Sequence, residues 1–117
     1  MSCVTFIFLL ALALPVQAAT EKWICQGSPY ADWKDILVIA TSNGDNYSGT
    51  LRVAAITYNT QYQVQGFDRR WDFGSVKENS SYSYSFVISP DGDARYYDFT
   101  SGASVKPSQL MWCKQIG

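Results

Sequence analysis

Apolar and polar positions alternate along most of the chain beyond residue 20. The stretch 81–88 shows this most cleanly, with Tyr82, Tyr84, Phe86 and Ile88 on one face and Ser81, Ser83, Ser85 and Val87 on the other. A period of two is the mark of a strand with one face buried. A second stretch sets Tyr47, Gly49, Leu51, Val53 and Ala55 against Ser48, Thr50 and Arg52, until Ala54-Ala55-Ile56 blurs the pattern. No long window shows a helical period, and Tyr, Val, Ile, Thr, Trp and Phe dominate, which favours strands. Turn-forming groups punctuate the chain at Ser28-Pro29, Asn43-Gly44-Asp45-Asn46, Asn59-Thr60, Lys77-Glu78-Asn79-Ser80, Pro90-Asp91-Gly92-Asp93 and Ser101-Gly102.

Between these turns the pattern predicts eight strands, at about residues 21–27, 34–42, 47–58, 61–67, 70–75, 82–89, 94–100 and 108–115. Short connections make consecutive strands antiparallel neighbours, and Asn43-Gly44 and Asp91-Gly92 are the strongest hairpin signals. Gly66 and Gly74 fall inside predicted strands, where glycine marks a bulge or a sharp bend. The expected fold is all-β: a small antiparallel eight-stranded up-and-down barrel, or alternatively a two-sheet β-sandwich.

The first residues follow another rule. Phe6 to Val16 is a continuous apolar run, FIFLLALALPV, followed by Val16-Gln17-Ala18 with small or apolar residues flanking a cut after Ala18. That is the pattern of a secretory signal peptide over residues 1–18, although Met1 to Thr5 contains no Lys or Arg. Eleven residues of helix rise about 16 Å, roughly half a hydrocarbon core, so a stable membrane anchor is the weaker reading. The expected domain is 19–117, a single unit, periplasmic or secreted.

Export also resolves the cysteine count. Of three Cys, Cys3 leaves with the signal, and Cys25 and Cys113 remain near the two ends of the mature chain. Two Cys in an oxidising compartment read as one disulfide. A bridge between them suits the barrel, since a meander of even strand number brings first and last strands together. A lipoprotein anchor needs Cys at the first mature position, and Cys25 lies well beyond it.

Charge and residue types then narrow the function. Nine Lys and Arg balance ten Asp and Glu, so there is no basic footprint for nucleic acid. The chain has no His, which removes Ser-His-Asp catalysis, His-ligated zinc and His-held haem. Asp32/Asp35, Asp68/Asp72, Asp91/Asp93 and Asp98 are candidates for a catalytic pair. Asp32, Asp91 and Asp93 fall in predicted turns, however, and Asp68 and Asp72 flank Arg69-Arg70. The segments 43–46 and 91–93 stop short of a full set of calcium ligands. No catalytic residue, metal or cofactor is expected. Asn46 and Asn79 stand in N-glycosylation sequons, which matter only in a eukaryotic secretory pathway.

Aromatic residues are the most unusual feature: four Trp, eight Tyr and six Phe, of which only Phe6 and Phe8 belong to the leader. Two clusters join them to Arg, Phe67-Asp68-Arg69-Arg70-Trp71-Asp72-Phe73 and Arg95-Tyr96-Tyr97-Asp98-Phe99. Trp, Tyr and Arg dominate binding hot spots. Phe67, Arg69, Arg70, Trp71, Arg95 and Tyr97 are therefore the candidate partner-binding residues. The alternative role for these rings is core packing.

The layout resembles the exported C-type lysozyme inhibitors of Gram-negative bacteria, small periplasmic eight-stranded barrels with a Cys near each mature end. The leader, Trp23-Ile24-Cys25-Gln26 and Trp112-Cys113-Lys114-Gln115 carry the resemblance. That family inserts a Ser-Gly-x-x-Tyr loop into the lysozyme cleft. This chain has Ser101-Gly102-Ala103-Ser104-Val105, with Val105 where the Tyr would stand and one strand from the final Cys instead of mid-chain. The resemblance adds Ser101 to the candidate residues. It implies a non-enzymatic protein that binds a lysozyme-like hydrolase. The other expectation is a small-ligand or carbohydrate carrier using the barrel mouth. The lipocalin and avidin barrels are similar in outline, but their Gly-x-Trp start is absent.

Overall fold

A computed structural model describes residues 20–30, 32–45, 47–74, 82–100 and 106–117. Eight strands follow one another: β1 (Glu21–Gln26), β2 (Val38–Ser42), β3 (Ser48–Val53), β4 (Ile56–Gln65), β5 (Asp68–Phe73), β6 (Tyr84–Ile88), β7 (Asp93–Asp98) and β8 (Gln109–Gln115). Each pairs antiparallel with the next, and β8 pairs antiparallel with β1, so the sheet closes into a barrel. Closure removes the sheet edges that a sandwich would leave. Cys25 and Cys113 lie opposite each other across the β1–β8 seam and form a disulfide spanning 88 residues. Chain entropy gives a loop of that length about 4.5 kcal/mol of stabilisation.

Alternation decides what faces inward. Trp23 and Cys25 of β1, Val38 and Ala40 of β2, Leu51 of β3, Tyr62 of β4, Trp71 and Phe73 of β5, Phe86 and Ile88 of β6, Ala94 of β7, and Met111 and Cys113 of β8 form one continuous core. Trp71 is at its centre and fully buried. Its indole Nε1 donates to the Thr41 carbonyl at 2.8 Å. Gly49 makes room for this, since a Cβ there would collide with both the Thr41 carbonyl oxygen and the Trp71 indole nitrogen. Gly92 plays a similar part in the β6–β7 turn. It has φ +98°, and a Cβ would strike the Cys113 carbonyl oxygen, while its own carbonyl accepts the Cys113 N–H at 2.7 Å.

Several boundaries differ from the sequence expectation. The expected strand 47–58 ends at Val53, because the chain turns at Ala54-Ala55 with Ala54 at φ 55°. Val53 and Ile56 pair across this two-residue loop, so the positive φ supplies the twist a tight hairpin requires without the usual Asn or Gly. Strand β4 then runs through Asn59-Thr60, where a turn was expected, and Thr60 pairs with Gly49 inside the sheet. Gly66 lies in the β4–β5 turn and Gly74 just past β5, both with positive φ, so neither sits within a strand. Finally, the strand expected from residue 34 starts only at Val38. The preceding loop folds over the outside of β1. There the Trp33 N–H donates to Gln26 Oε1 at 3.1 Å and covers that buried amide.

Candidate functional site

The barrel has two ends of different construction. Odd-numbered strands start at one end and finish at the other. At the starting end, Glu21 and Arg69 project to the inner face and form a two-pronged ion pair, with Nε to Oε1 at 3.0 Å and Nη2 to Oε2 at 3.2 Å. Trp23 Nε1 donates to the same Oε1 at 3.1 Å, and the guanidinium lies 5.6 Å from the centre of the Trp23 ring. Arg69 also donates to the Phe67 carbonyl at 3.0 Å. The hydrogen bond from Arg69 holds the Glu21 carboxyl below its usual range, against an opposing push from partial burial. Beneath the pair lies Tyr62, 5.0 Å from Trp71 between ring centres. Burial is the main cause of its raised phenol pKa, followed by the Glu21 charge. This end is plugged.

The opposite end holds a cavity of about 280 Å³. Val38, Leu51, Phe86 and Met111 line it with core side chains, and Val53 and Gln109 stand nearer the strand ends. Its remaining lining is a run of four rings contributed by four successive strands: Tyr58, Phe73, Tyr84 and Tyr96. Phe73 lies 5.1 Å from Tyr58, 5.2 Å from Tyr84 and 6.4 Å from Tyr96. Tyr84 and Tyr96 stack 6.0 Å apart with planes within 14°. Burial, then the neighbouring Tyr84 and Asp98, push the Tyr96 phenol up to about 12. The Tyr96 phenol therefore offers a neutral hydroxyl over the whole physiological range.

The residues of the two expected binding clusters are distributed among four places. Trp71 is in the core and presents nothing to a partner, because its position in the β5 register sets it opposite Phe86 on the inner face. Arg69 is one half of the plug. Arg70 points outward, where its Nε meets Asp72 Oδ1 at 2.9 Å and its Nη2 meets Ser85 Oγ at 3.1 Å. Ser85 in turn donates to Asp72. Arg95 pairs with Asp68 at 3.2 Å on the outer face. Tyr97 stacks on Phe99 at 5.8 Å. Phe67 is the most protruding of the set, 83 % exposed at the tip of the β4–β5 turn. Ser101 and the rest of its motif lie outside the described residues, as do Asn46 and Asn79.

Sequence reasoning did not single out Tyr58, Phe73, Tyr84, Tyr96 and Gln109 as a set. A signal was present, since all five occupy inner-face positions near the same end of their strands. Reading it required correct strand ends, and the misplaced boundary at Ala54-Ala55 shifted Tyr58 to the end of the wrong strand. Among the described residues, no group of three or more His, Cys, Asp or Glu is arranged to hold a metal ion. The acidic groups on β5 and β1 are engaged with arginines instead. Comparison with known proteins finds no matching family model, no similar curated protein and no similar solved structure.

Proposed function

We propose that this chain is an exported, non-enzymatic binding protein that holds a small, largely apolar molecule in the open end of its barrel. The carrying observation is the cavity: one end of the interior is filled and ion-paired, while the other is left open over an aliphatic floor and a four-ring wall. Ligand sites are concave, mostly apolar and furnished with a few polar groups, and here the phenol hydroxyls and Gln109 supply those. The volume lies just under the usual range of about 300–1,000 Å³ for drug-sized ligands, which favours a smaller molecule. The signal-like leader and the disulfide support export, and the absence of His together with arginine-bound carboxylates supports a role without chemistry.

Native mass spectrometry of the exported protein, followed by thermal melts against a panel of small apolar compounds, tests this reading. A bound ligand at 100 times its Kd adds about 2.7 kcal/mol of stability. Val53→Trp fills the opening from the rim, and it should abolish that gain while the free protein melts as before. A panel without any stabilising compound, or equal stabilisation of Val53→Trp, overturns the reading.

Exposure at the plugged end favours a second reading, the inhibitor of a lysozyme-like hydrolase. Phe67 protrudes there, and Tyr47 and Val64 at the same end are also exposed. An exposed aromatic anchor suits a protein partner. Pull-down with lysozymes and bacterial wall hydrolases should then succeed for the native protein and fail for Phe67→Ala. Capture that is unaffected by Phe67→Ala, or no capture, removes this reading.

A further inference from the structure

The β4–β5 turn lifts Phe67 clear of the plugged end, and Tyr47 and Val64 beside it also expose more than half of their surface. The Tyr62 N–H donates to the Tyr47 carbonyl at 2.9 Å, which sets Tyr47 next to Tyr62. Val64 follows Tyr62 by two residues on the same face of β4, so Tyr47 and Val64 are diagonal neighbours, within reach of an aromatic side chain. Carboxylates flank this apolar patch on both sides. Asp45, in the β2–β3 turn, accepts from the Tyr47 N–H at 3.0 Å. Asp91 and Asp93 stand in and just after the β6–β7 turn. Arg95 ties that turn to the start of β5, donating to Asp68 at 3.2 Å and to Ser89 at 3.4 Å.

The carboxylates of Asp45, Asp91 and Asp93 are exposed and enter no ion pair, whereas Glu21 and Asp68 are held by arginines. Hydrogen bonds from the Ser48 hydroxyl and from the Tyr47 and Ser48 N–H groups hold the Asp45 carboxyl below its usual range, so it stays charged. These carboxylates outnumber Lys22 together with the α-amino group that a cut after Ala18 would leave. Both of those cations belong to the β1 side, across the barrel from the β4–β5 turn. Asn46 and residues 1–19 adjoin this end in sequence and lie outside the described residues, and they contain no Lys, Arg, Asp or Glu.

We infer that the plugged end docks a cationic amphipathic segment of another protein, one that presents an apolar side chain between Lys or Arg residues. Phe67 is the anchor, with Tyr47 and Val64 extending its apolar surface. A rigid exposed ring supplies contact area at low entropic cost. The cations of the partner meet Asp45 on one side and Asp91 and Asp93 on the other. The same charges disfavour other occupants, since a second copy would bring like charges together and an anionic lipid surface would be repelled. The inference is independent of a ligand in the open end. It shares Phe67 with the inhibitor reading, but it fixes the chemistry of the partner and not its activity.

A short amphipathic helix of Leu and Lys, and its twin with Glu in place of Lys, are the probes, since they share an apolar face and differ in charge. Fluorescence anisotropy with the mature chain should show saturable binding of the Leu/Lys peptide and none of the twin. Raising the salt from about 0.01 M to about 1 M shortens the Debye length from about 30 Å to about 3 Å and should weaken binding. Phe67→Ser should lower affinity about 30-fold, the loss typical of an interface anchor. Tyr30→Ser, at another exposed ring outside this end, should change nothing. Asp45→Asn with Asp91→Asn should weaken binding several-fold while the melts stay as they are, and Asp91→Asn with Asp93→Asn carries this test where the β2–β3 turn loosens. Equal binding of the twins, binding unaffected by Phe67→Ser, or no binding of the Leu/Lys peptide overturns the inference. Self-association through Phe67, or binding to anionic vesicles in place of the peptide, also overturns it. Capture of a wall hydrolase without peptide binding overturns it and keeps the inhibitor reading. All of these outcomes leave the ligand-site reading of the open end untouched.

Discussion

The two ends of this barrel solve the same problem differently. Each must terminate a column of inward-facing side chains where the strands run out. At one end Glu21, Arg69 and Trp23 interlock, so the polar groups that cap the core satisfy one another. At the other, Tyr58, Phe73, Tyr84 and Tyr96 lean on each other and leave space between themselves and the aliphatic floor. The first arrangement maximises internal pairing, and the second leaves a cavity beside the aromatic surface among the described residues. A barrel needs only filled layers to be stable. The cavity beside the aromatic surface at one end is therefore the feature behind the proposal of a ligand there.

Trp71 separates the two ends, touching Tyr62 on the plug side and Phe86 on the cavity side. Trp71→Ala should have the largest effect of any single change. It removes a fully buried ring and joins the cavity to the space under the plug. A loss of about 3–5 kcal/mol is expected in urea unfolding. Gly49→Val should approach it, because it displaces the same indole. A loss under about 1 kcal/mol for Trp71→Ala would mean that the two ends are not divided by a packed layer.

Arg69→Met comes next and acts on the plug alone. It keeps a long apolar stem but leaves the Glu21 carboxylate without its two-pronged partner. The pair is about a fifth exposed on each side, so solvent screening limits the loss to about 1–2 kcal/mol. Tyr84→Phe, at the open end, removes only a hydroxyl from a surface with spare room. It should change unfolding by under about 0.5 kcal/mol. A reversal of that order would erase the distinction between a mutually satisfied end and an open one.

A comparably small effect is a pH dependence. The Glu21 carboxyl titrates below its usual value of 4.5 because Arg69 donates to its charged form. The stabilisation is then fully present above about pH 4.5 and is lost as pH falls through the lower folded value. Wild type should lose more stability between pH 5 and pH 3 than Glu21→Gln, by a fraction of a kcal/mol after screening, about 0.5 kcal/mol. Parallel pH–stability curves would remove the plug's ionic character.

Strand existence and topology were legible in the sequence because alternation and turn residues report them locally. The disulfide followed from the two cysteines outside the apolar leader, and their placement favoured the barrel. Boundaries failed where the turn carried no turn residue. Ala54-Ala55 reads as strand, yet Ala54 takes a positive φ because the Val53–Ile56 pairing closes the hairpin around it. The fate of adjacent arginines was only half legible. Strict alternation sends Arg69 and Arg70 to opposite faces, but which one turns inward depends on the register with Ile88 and Val87. The partner of Arg69 lies 48 residues away in sequence, beyond any local pattern. Trp71 looked like a surface anchor for the same reason, since its neighbours are charged. The open end was illegible because it depends on where several strands stop relative to one another.

The most direct measurement is a titration followed by two-dimensional NMR of the aromatic side chains, with the small apolar compounds that stabilise the protein in thermal melts added in turn. The expected result is saturable shifts at Tyr58, Phe73, Tyr84 and Tyr96, with Trp23 and Tyr62 at the plugged end unmoved. Shifts that fall first on Trp23 and Tyr62, or spectra unchanged by the whole panel of apolar compounds, would contradict the proposal that the open end is the binding site.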